Sequence, residues 1–227
     1  MIITSTILQK SLALSHFDEQ HSQQARQLMI PMQTVSTRPP NSHNKARLGS
    51  VLILFYLHKG VTNLVLTRRR ADMRTHPGQI SFPGGGREGE ESLAHTALRE
   101  ANEEIGLAID KVTLLGELVP AYVPPSNFLV YPFVGWYVDE EKRPFFQRNP
   151  AEVAEIIEVP MQHLLDPAVR QKEQRQFNNV SFSMPYFAVG SHKIWGATAS
   201  LLSEIVARLH CVIPSQAQHP ISLPANP

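Results

Sequence analysis

The spacing of apolar residues changes along this chain of 227 residues, and each spacing predicts a different element. The run from Gly49 to His58 is short and almost continuously apolar, which is typical of a buried strand. From Thr62 to Arg68 the side chains alternate, which predicts a second strand. Lys59 and Gly60 separate the two runs. A β-hairpin is therefore predicted here.

Helical spacing follows between Ser92 and Gly106. The apolar residues that form one face of this predicted helix are Leu93, Ala94, Ala97, Leu98, Ala101 and Ile105. Ser92 can serve as N-cap by accepting a hydrogen bond from a free N–H of the first turn. Gly106 suits the C-cap because a positive φ costs glycine little. Upstream, the glycines and prolines from Phe82 to Gly86 cannot be helical, so a loop is expected to lead into the helix.

The remaining elements continue this alternation of strands and helices. Further strands are predicted over Val112–Leu118, Leu129–Val138, Glu152–Val159 and Val180–Val189. Helical spacing predicts a short helix over Met161–Leu165 and a longer one over Ala197–Leu209. Strands combined with helices on opposite sides of them favour an α/β fold. In the expected α/β/α sandwich, helices cover both faces of a mixed sheet.

The two ends of the chain differ from its middle. Residues 1–33 suggest a helix, and the prolines that follow interrupt it. We therefore expect a helical extension and linker over residues 1–44 and the main domain over residues 45–210. The tail, residues 211–227, is expected to be disordered because four prolines fall within its last 14 residues.

Charge and cysteine content exclude several classes of function. The chain has 21 Lys and Arg residues against 20 Asp and Glu residues, so no bulk charge indicates a nucleic acid or a membrane as partner. The one cysteine, Cys211, rules out an internal disulfide and is compatible with a reducing compartment. The N-terminus lacks the basic region of a signal peptide. No apolar run is long enough to cross a bilayer. A soluble, cytoplasmic protein is expected.

Three carboxylates on the predicted central helix indicate a metal site. Glu100, Glu103 and Glu104 stand at relative positions 0, +3 and +4, which places them on one face of a helix. Like charges at this spacing repel one another, whereas a divalent cation between them would turn repulsion into attraction. Hard oxygen ligands suit Mg²⁺ or Mn²⁺.

The stretch from Gly85 to Leu107 resembles the Nudix box, G-x5-E-x7-R-E-U-x-E-E-x-G-U, where U is a bulky aliphatic residue. Its fixed positions are filled by Gly85, Glu91, Arg99, Glu100, Glu103, Glu104, Gly106 and Leu107. The one departure is Ala101 at the first U. The resemblance implies a Nudix-type α/β/α sandwich and a metal-dependent pyrophosphohydrolase that acts on a small nucleotide.

The resemblance also implies roles for these residues. Glu100, Glu103 and Glu104 would bind Mg²⁺ or Mn²⁺, and one of them, by our assignment Glu103, would accept the proton of the attacking water. Arg99 would brace the carboxylates, and Glu91 would orient Arg99. These five residues are the predicted catalytic group.

A second stretch, from Leu64 to Gly85, resembles a signature of coenzyme A pyrophosphatases, L-L-T-x-R-[S/A]-x3-R-x3-G-x3-F-P-G-G. The aligned residues are Val65, Leu66, Thr67, Arg69, Arg74, Gly78, Phe82, Pro83, Gly84 and Gly85. Two positions differ from the pattern: Val65 replaces Leu, and Arg70 stands where Ser or Ala is usual.

A coenzyme A substrate would explain arginines beside the box. It carries a diphosphate and a 3′-phosphate, which guanidinium groups bind in a planar, bidentate way. The expected reaction cleaves coenzyme A or a derivative into 3′,5′-ADP and 4′-phosphopantetheine or its acyl form. The expected substrate-binding residues are Arg69, Arg74, Gly84 and Gly85.

Alternatives remain open at this point. The substrate could instead be ADP-ribose or a dinucleotide, and a Nudix-fold module could bind a nucleotide without cleaving it. Phe128 could stack on adenine, line the pantetheine channel or simply pack. Glu152 and Glu155 could supply a metal ligand or a base, or lie on a solvated strand face. His76 is a minor candidate for a phosphate contact. A homodimer is one oligomeric state that the sequence allows.

Overall fold

The computed structural model describes residues 2–15, 17–31, 46–73, 76–139, 142–177 and 180–213. Within these ranges the chain forms eleven strands, five α-helices and three single-turn 3₁₀ segments. The strands are β1 Arg47–His58, β2 Val61–Arg69, β3 Ile80–Ser81, β4 Gly84–Gly86, β5 Val112–Glu117, β6 Ala121–Val123, β7 Phe128–Tyr137, β8 Val153–Pro160, β9 Arg170–Phe177, β10 Val180–Val189 and β11 His192–Ile194. The helices are α1 Ser5–Leu12, α2 Glu19–Gln27, α3 Leu93–Ile105, α4 Met161–Leu165 and α5 Gly196–Val212.

Strands β1 to β8 form one mixed sheet, whose main path runs β3-β2-β1-β7-β5. β1 and β7 pair in parallel, and their register places Arg47 opposite Phe128. The other pairs in this sheet are antiparallel, including the predicted hairpin of β1 and β2. Strands β9 to β11 form a three-stranded antiparallel sheet.

Successive side chains of β1 point to opposite faces of the mixed sheet, and both faces are covered. Leu52, Leu54 and Tyr56 belong to the core that includes α3. Ile53 and Phe55 belong to the core that includes α5. Because apolar residues are needed on both faces, β1 is an almost unbroken apolar run. The α/β/α sandwich predicted from the sequence is confirmed.

The N-terminal residues form two short helices instead of the single helix that was predicted. The side chain of Thr4 caps α1, and that of Asp18 caps α2, so each helix has its own start. Ile3, Leu8 and Met29 lie in the same core as α5. The described part of the predicted extension therefore packs onto the main domain.

Some predictions about the chain ends concern residues that lie outside the described ranges. The expected linker falls within residues 32–45, and the expected disordered tail is described only as far as residue 213. The domain boundaries at residues 44 and 210 stay predictions. Among the helices that the structure describes, none is long and apolar enough to cross a membrane.

Two predicted loops contain short strands. Gly84–Gly86 forms β4, which pairs with β1. Ala121–Val123 forms β6, which pairs with β7. Three glycines carry no alternation of side chains, so β4 gives no sequence signal. β9, with the sequence RQKEQRQF, was also missed because it offers no alternation of apolar and polar residues.

Candidate active site

Helix α3 is fixed at both ends by the capping residues that the sequence predicted. The hydroxyl of Ser92 accepts a hydrogen bond from the backbone N–H of His95 at 3.2 Å. At the other end Gly106 adopts a φ of 64°, and its N–H donates to the carbonyl of Asn102. The box carboxylates therefore project from a helix whose two ends are held.

Arg99 connects the carboxylates of the box. Its Nε and Nη2 donate to the two carboxylate oxygens of Glu91 at 3.1 and 2.8 Å. Its Nη1 donates to Glu100 at 3.1 Å and to Glu103 at 3.0 Å. Nη2 also donates to the backbone carbonyl of Gly86 at 3.1 Å. Arg99 thus contacts two of the three predicted metal ligands, with Glu91 behind it.

Glu91 is strongly held in its ionised form. The hydrogen bonds from Arg99 are the main reason that its pKa falls to about 2. The backbone N–H of Glu88 and the hydroxyl of Thr96 donate to the same carboxylate and lower the pKa further. In return, Glu91 raises the pKa of Arg99. The pair keeps both of its charges throughout the neutral range.

Glu104 is the most buried carboxylate of the box, with 3% of its surface exposed. The backbone N–H of Gly84 donates to its Oε2 at 3.3 Å, and Nη1 of Arg69 lies 3.8 Å from its Oε1. Burial raises the pKa of Glu104 to about 8, although Arg69 opposes the shift. A cation beside this carboxyl would favour its ionised form.

Glu100 lies directly against the strand that precedes the helix. A Cβ atom added at Gly85 would lie 2.5 Å from the carboxylate Oε1 of Glu100, so residue 85 has no room for a side chain. Burial raises the pKa of Glu100, and Arg99 opposes that shift. The negative charge of Glu152 raises the pKa of both Glu100 and Glu104. Glu152, just before β8, therefore contributes to the field of the site.

The oxygen ligands fit a divalent cation in their chemistry. Burial raises the pKa of the carboxyl groups of Glu100 and Glu104, and a hard cation bound beside them would stabilise their ionised forms. Glu103 differs, because its side chain is 51% exposed and is paired with Arg99. Within the described ranges, no group of three or more His, Cys, Asp or Glu side chains is gathered closely enough to hold a metal ion. The three glutamates share the predicted helix but are not gathered around one point.

The arginines of the second signature have different partners. Arg69 lies beside Glu104, and its buried Nε has no hydrogen-bond partner among the described residues. Arg68 donates from Nε to Glu155 at 2.9 Å. Arg70 pairs with Asp72 and also donates to a backbone carbonyl. Arg74 lies outside the described residues, so its predicted role stays a prediction.

Three further candidates from the sequence can now be placed. Nδ1 of His76 pairs with Oε1 of Gln79 at 2.8 Å, within the same loop. Glu155 pairs with Arg68 and with Nε2 of His192, at 3.3 Å for the latter. Both candidates are engaged in contacts within the fold. Phe128 contacts Arg47, a residue that the sequence analysis did not single out because nothing local marks it.

The chain is similar to known proteins over most of its length. A model of the NUDIX domain matches residues 47–179. The chain is 33% identical over 180 residues to a protein of Photorhabdus laumondii named uncharacterized Nudix hydrolase NudL, covering 75% of this chain and 90% of that protein. It is 32% identical over 184 residues to the mitochondrial coenzyme A diphosphatase NUDT8 of Mus musculus, covering 79% of this chain and 84% of that one.

Solved structures are also similar to this chain. A Nudix hydrolase from M. smegmatis is 14% identical, with a TM-score of 0.49, over 74% of this chain and 88% of that one.

The sandwich fold, the box helix and the sequence relatives define a hydrolase that acts on phosphoanhydride bonds. The chain belongs to the Nudix hydrolase family.

Proposed function

We propose that this Nudix hydrolase cleaves the diphosphate of coenzyme A or one of its derivatives, giving 3′,5′-ADP and 4′-phosphopantetheine or its acyl form. The observation that carries the proposal is the position of Arg69. This arginine of the coenzyme A pyrophosphatase signature lies 3.8 Å from the box carboxylate Glu104. Relatives named coenzyme A diphosphatases, from Mus musculus and Homo sapiens, support it at 32% and 33% identity.

In this proposal the box carboxylates hold Mg²⁺ or Mn²⁺. Glu100, Glu103 and Glu104 would hold the cation, which would supply charge neutralisation for the diphosphate and a water of lowered pKa. Arg99 keeps Glu100 and Glu103 in position, and Glu91 orients Arg99. Glu103 is the most exposed of the three glutamates and accepts the proton of the attacking water.

Arg69 supplies a positive charge on the substrate side of this arrangement. Its buried Nε lacks a partner among the described residues, so a phosphate oxygen would satisfy it. Arg74 is proposed to act with it. Gly84 and Gly85 are proposed to present their backbone to the diphosphate beside the carboxylates, since a side chain at residue 85 would collide with Glu100 and the N–H of Gly84 already donates to Glu104.

A substrate panel tests the proposed function. Coenzyme A, dephospho-coenzyme A, acetyl-coenzyme A, ADP-ribose, NADH and 8-oxo-dGTP would each be incubated with Mg²⁺ or Mn²⁺, and the products read by liquid chromatography. We expect coenzyme A to be the better substrate by about tenfold or more in kcat/KM over ADP-ribose and NADH, a difference of ~1.4 kcal/mol. A reversed order would assign the enzyme to the alternative substrates. Binding of nucleotides without any cleavage would indicate the non-catalytic module.

The expected partners of the enzyme follow from the same proposal. A small nucleotide is the expected partner, and neither a nucleic acid nor a membrane is needed. The cytoplasmic location and the homodimer that the sequence allows both stay predictions.

A further inference from the structure

A basic cleft lies beside the strand that begins the Nudix box. It has a volume of about 350 Å³ and is lined by Arg47, Leu48, Gly86, Arg87 and Phe128. The sheet brings these residues together, since β1 pairs with β7 on one side and with β4 on the other. No local pattern in the sequence connects them.

Arg47 gives the cleft a positive charge with little compensation. Its Cζ lies 4.3 Å from the centre of the Phe128 ring, and its Nη2 donates to the backbone carbonyl of Ser126 at 3.2 Å. In the part of the chain that the structure describes, no carboxylate forms an ion pair with Arg47. An arginine has five N–H donors, so several remain for a ligand.

Arg87 adds a second guanidinium. Its Nε donates to the backbone carbonyl of Glu91 at 2.6 Å, which fixes the side chain. Its Nη2 donates to Glu90 at 3.2 Å, but the side chain of Glu90 is 100% exposed. Ion pairs with such exposed partners contribute little. The cleft thus carries two positive charges that an anion would neutralise.

The cleft is next to the box carboxylates. Gly86 lines it, and the neighbouring residue Gly85 lies against the carboxylate of Glu100. One residue of strand advances the backbone by about 3.3 Å. Glu100 and the Phe128 side of the cleft lie on opposite faces of β4, because a Cβ at Gly85 would meet Glu100 and one at Gly86 would meet the Phe128 ring. A ligand with its diphosphate at Glu100 and a second anionic group on the same sugar would therefore reach the cleft around the edge of this three-residue strand.

We propose that Arg47 and Arg87 bind the ribose 3′-phosphate of the substrate, and that Phe128 holds the Arg47 guanidinium in place by stacking. The inference rests on the proposed function, because coenzyme A carries that phosphate and dephospho-coenzyme A lacks it. Planar guanidinium groups match phosphate oxygens in a bidentate way. The cleft would let the enzyme discriminate between substrates by a phosphate group that the reaction does not cleave.

Kinetics with this pair of substrates test the inference. The ratio of kcat/KM for coenzyme A over dephospho-coenzyme A would be measured for the wild type, Arg47→Ala, Arg47→Lys and Arg87→Ala. Loss of a charge-assisted phosphate contact should lower this ratio about tenfold or more in Arg47→Ala. Arg47→Lys should keep part of the preference, because it keeps the charge.

Lys111→Ala provides the matched control. It removes one positive charge from an exposed residue at the opposite end of β7 from Phe128, since the carbonyl of Lys111 accepts from the N–H of Val138. Its ratio should equal that of the wild type. If the ratio were unchanged in both Arg47→Ala and Arg87→Ala while coenzyme A was still cleaved, this inference would be wrong. The proposed function would not be affected by that result.

Other outcomes separate the two proposals further. If Arg47→Ala lowered kcat/KM equally for both substrates, Arg47 would not read the 3′-phosphate. If the wild type cleaved ADP-ribose but not coenzyme A, the proposed function itself would fail.

Binding of the product to wild-type protein adds a test that needs no turnover. Titration calorimetry in chelator would compare 3′,5′-ADP with 5′-AMP. We expect tighter binding of 3′,5′-ADP, and equal affinities would overturn the inference.

Discussion

Arg99 and Glu91, which are 8 residues apart, are joined by two parallel hydrogen bonds of 3.1 and 2.8 Å. This bidentate pair fixes the plane of the guanidinium, and the remaining Nη1 then reaches both Glu100 and Glu103. The positions of two proposed metal ligands therefore depend on a residue that is not expected to touch the metal.

Replacing Arg99 by lysine should weaken metal binding. One ammonium group cannot hold Glu91 in a bidentate way and also reach Glu100 and Glu103. Loss of such a supporting contact typically lowers metal affinity or activity by ~10–100-fold. Mn²⁺ titration and kcat/KM of Arg99→Lys would measure the loss. Arg175→Lys, at an arginine stacked on Trp195, is the control and should behave as wild type in both assays.

The Arg99–Glu91 pair should make stability depend on pH on the acid side. The pKa of Glu91 is lowered from 4.5 to about 2, so its stabilisation is complete above pH 4.5 and is lost as the pH falls towards 2. Glu91→Gln should remove this contribution. The urea midpoint of the wild type should exceed that of the variant by a constant margin at neutral pH, and the margin should shrink below pH 4.5. A margin that stays the same down to pH 2 would show that the ionised carboxylate is not its source.

The difference in stability between Glu104→Gln and the wild type should change sign when metal is added. In chelator the variant should be as stable as the wild type or more so, because it no longer buries a carboxyl that is 3% exposed. With Mn²⁺ the wild type should gain melting temperature by mass action, and the variant should gain much less. Turnover of the variant should fall by orders of magnitude. A variant that is destabilised in chelator, yet still responds to Mn²⁺ and turns over normally, would mean that Glu104 is structural.

Gly85→Ala should displace Glu100. The added Cβ would lie 2.5 Å from its carboxylate, which is closer than real Cβ contacts. We expect a reduced Mn²⁺-dependent rise in melting temperature together with reduced turnover. Gly86→Ala is the matched comparison, because its Cβ would lie at 3.7 Å from the Phe128 ring, an ordinary contact. Its metal response should change less, and equal losses in the two variants would contradict the proposed contact with Glu100.

Glu204→Gln should destabilise the whole fold. Glu204 is fully buried and accepts hydrogen bonds from Arg26 at 2.6 Å and from Arg208 at 2.9 Å. Removing its charge leaves two arginines without a counter-charge, which typically costs ~3–5 kcal/mol. Urea unfolding would measure this loss. Glu173→Gln is the control, because it weakens partly exposed pairs with Lys193 and Arg175 and should have little effect.

The Arg26–Glu204 contact also concerns the N-terminal residues, because Arg26 belongs to α2 and Glu204 to α5. If α2 were an independent unit, the N-terminal residues of the wild type would unfold in a separate transition. We expect one cooperative transition in the wild type, shifted as a whole in the variant.

The sequence by itself determined the local features of this protein. The hairpin, the capped helix α3 and the carboxylates on one of its faces depend on residues within a few positions of one another, which is the range of helix and turn rules. The fixed spacing of the box was enough to indicate the family. The contact of Arg99 with Glu91 could also be expected, since it lies within the same motif.

Only the tertiary structure decided which charges meet across the sheet. Arg68 and Arg69 are adjacent in the sequence, yet one pairs with Glu155 and the other lies beside Glu104, because neighbouring strand residues face opposite sides. The approach of Arg47 to Phe128 arises from a parallel pairing between residues 81 positions apart. The physical reason is that strand register and burial depend on the whole core, which no local spacing records.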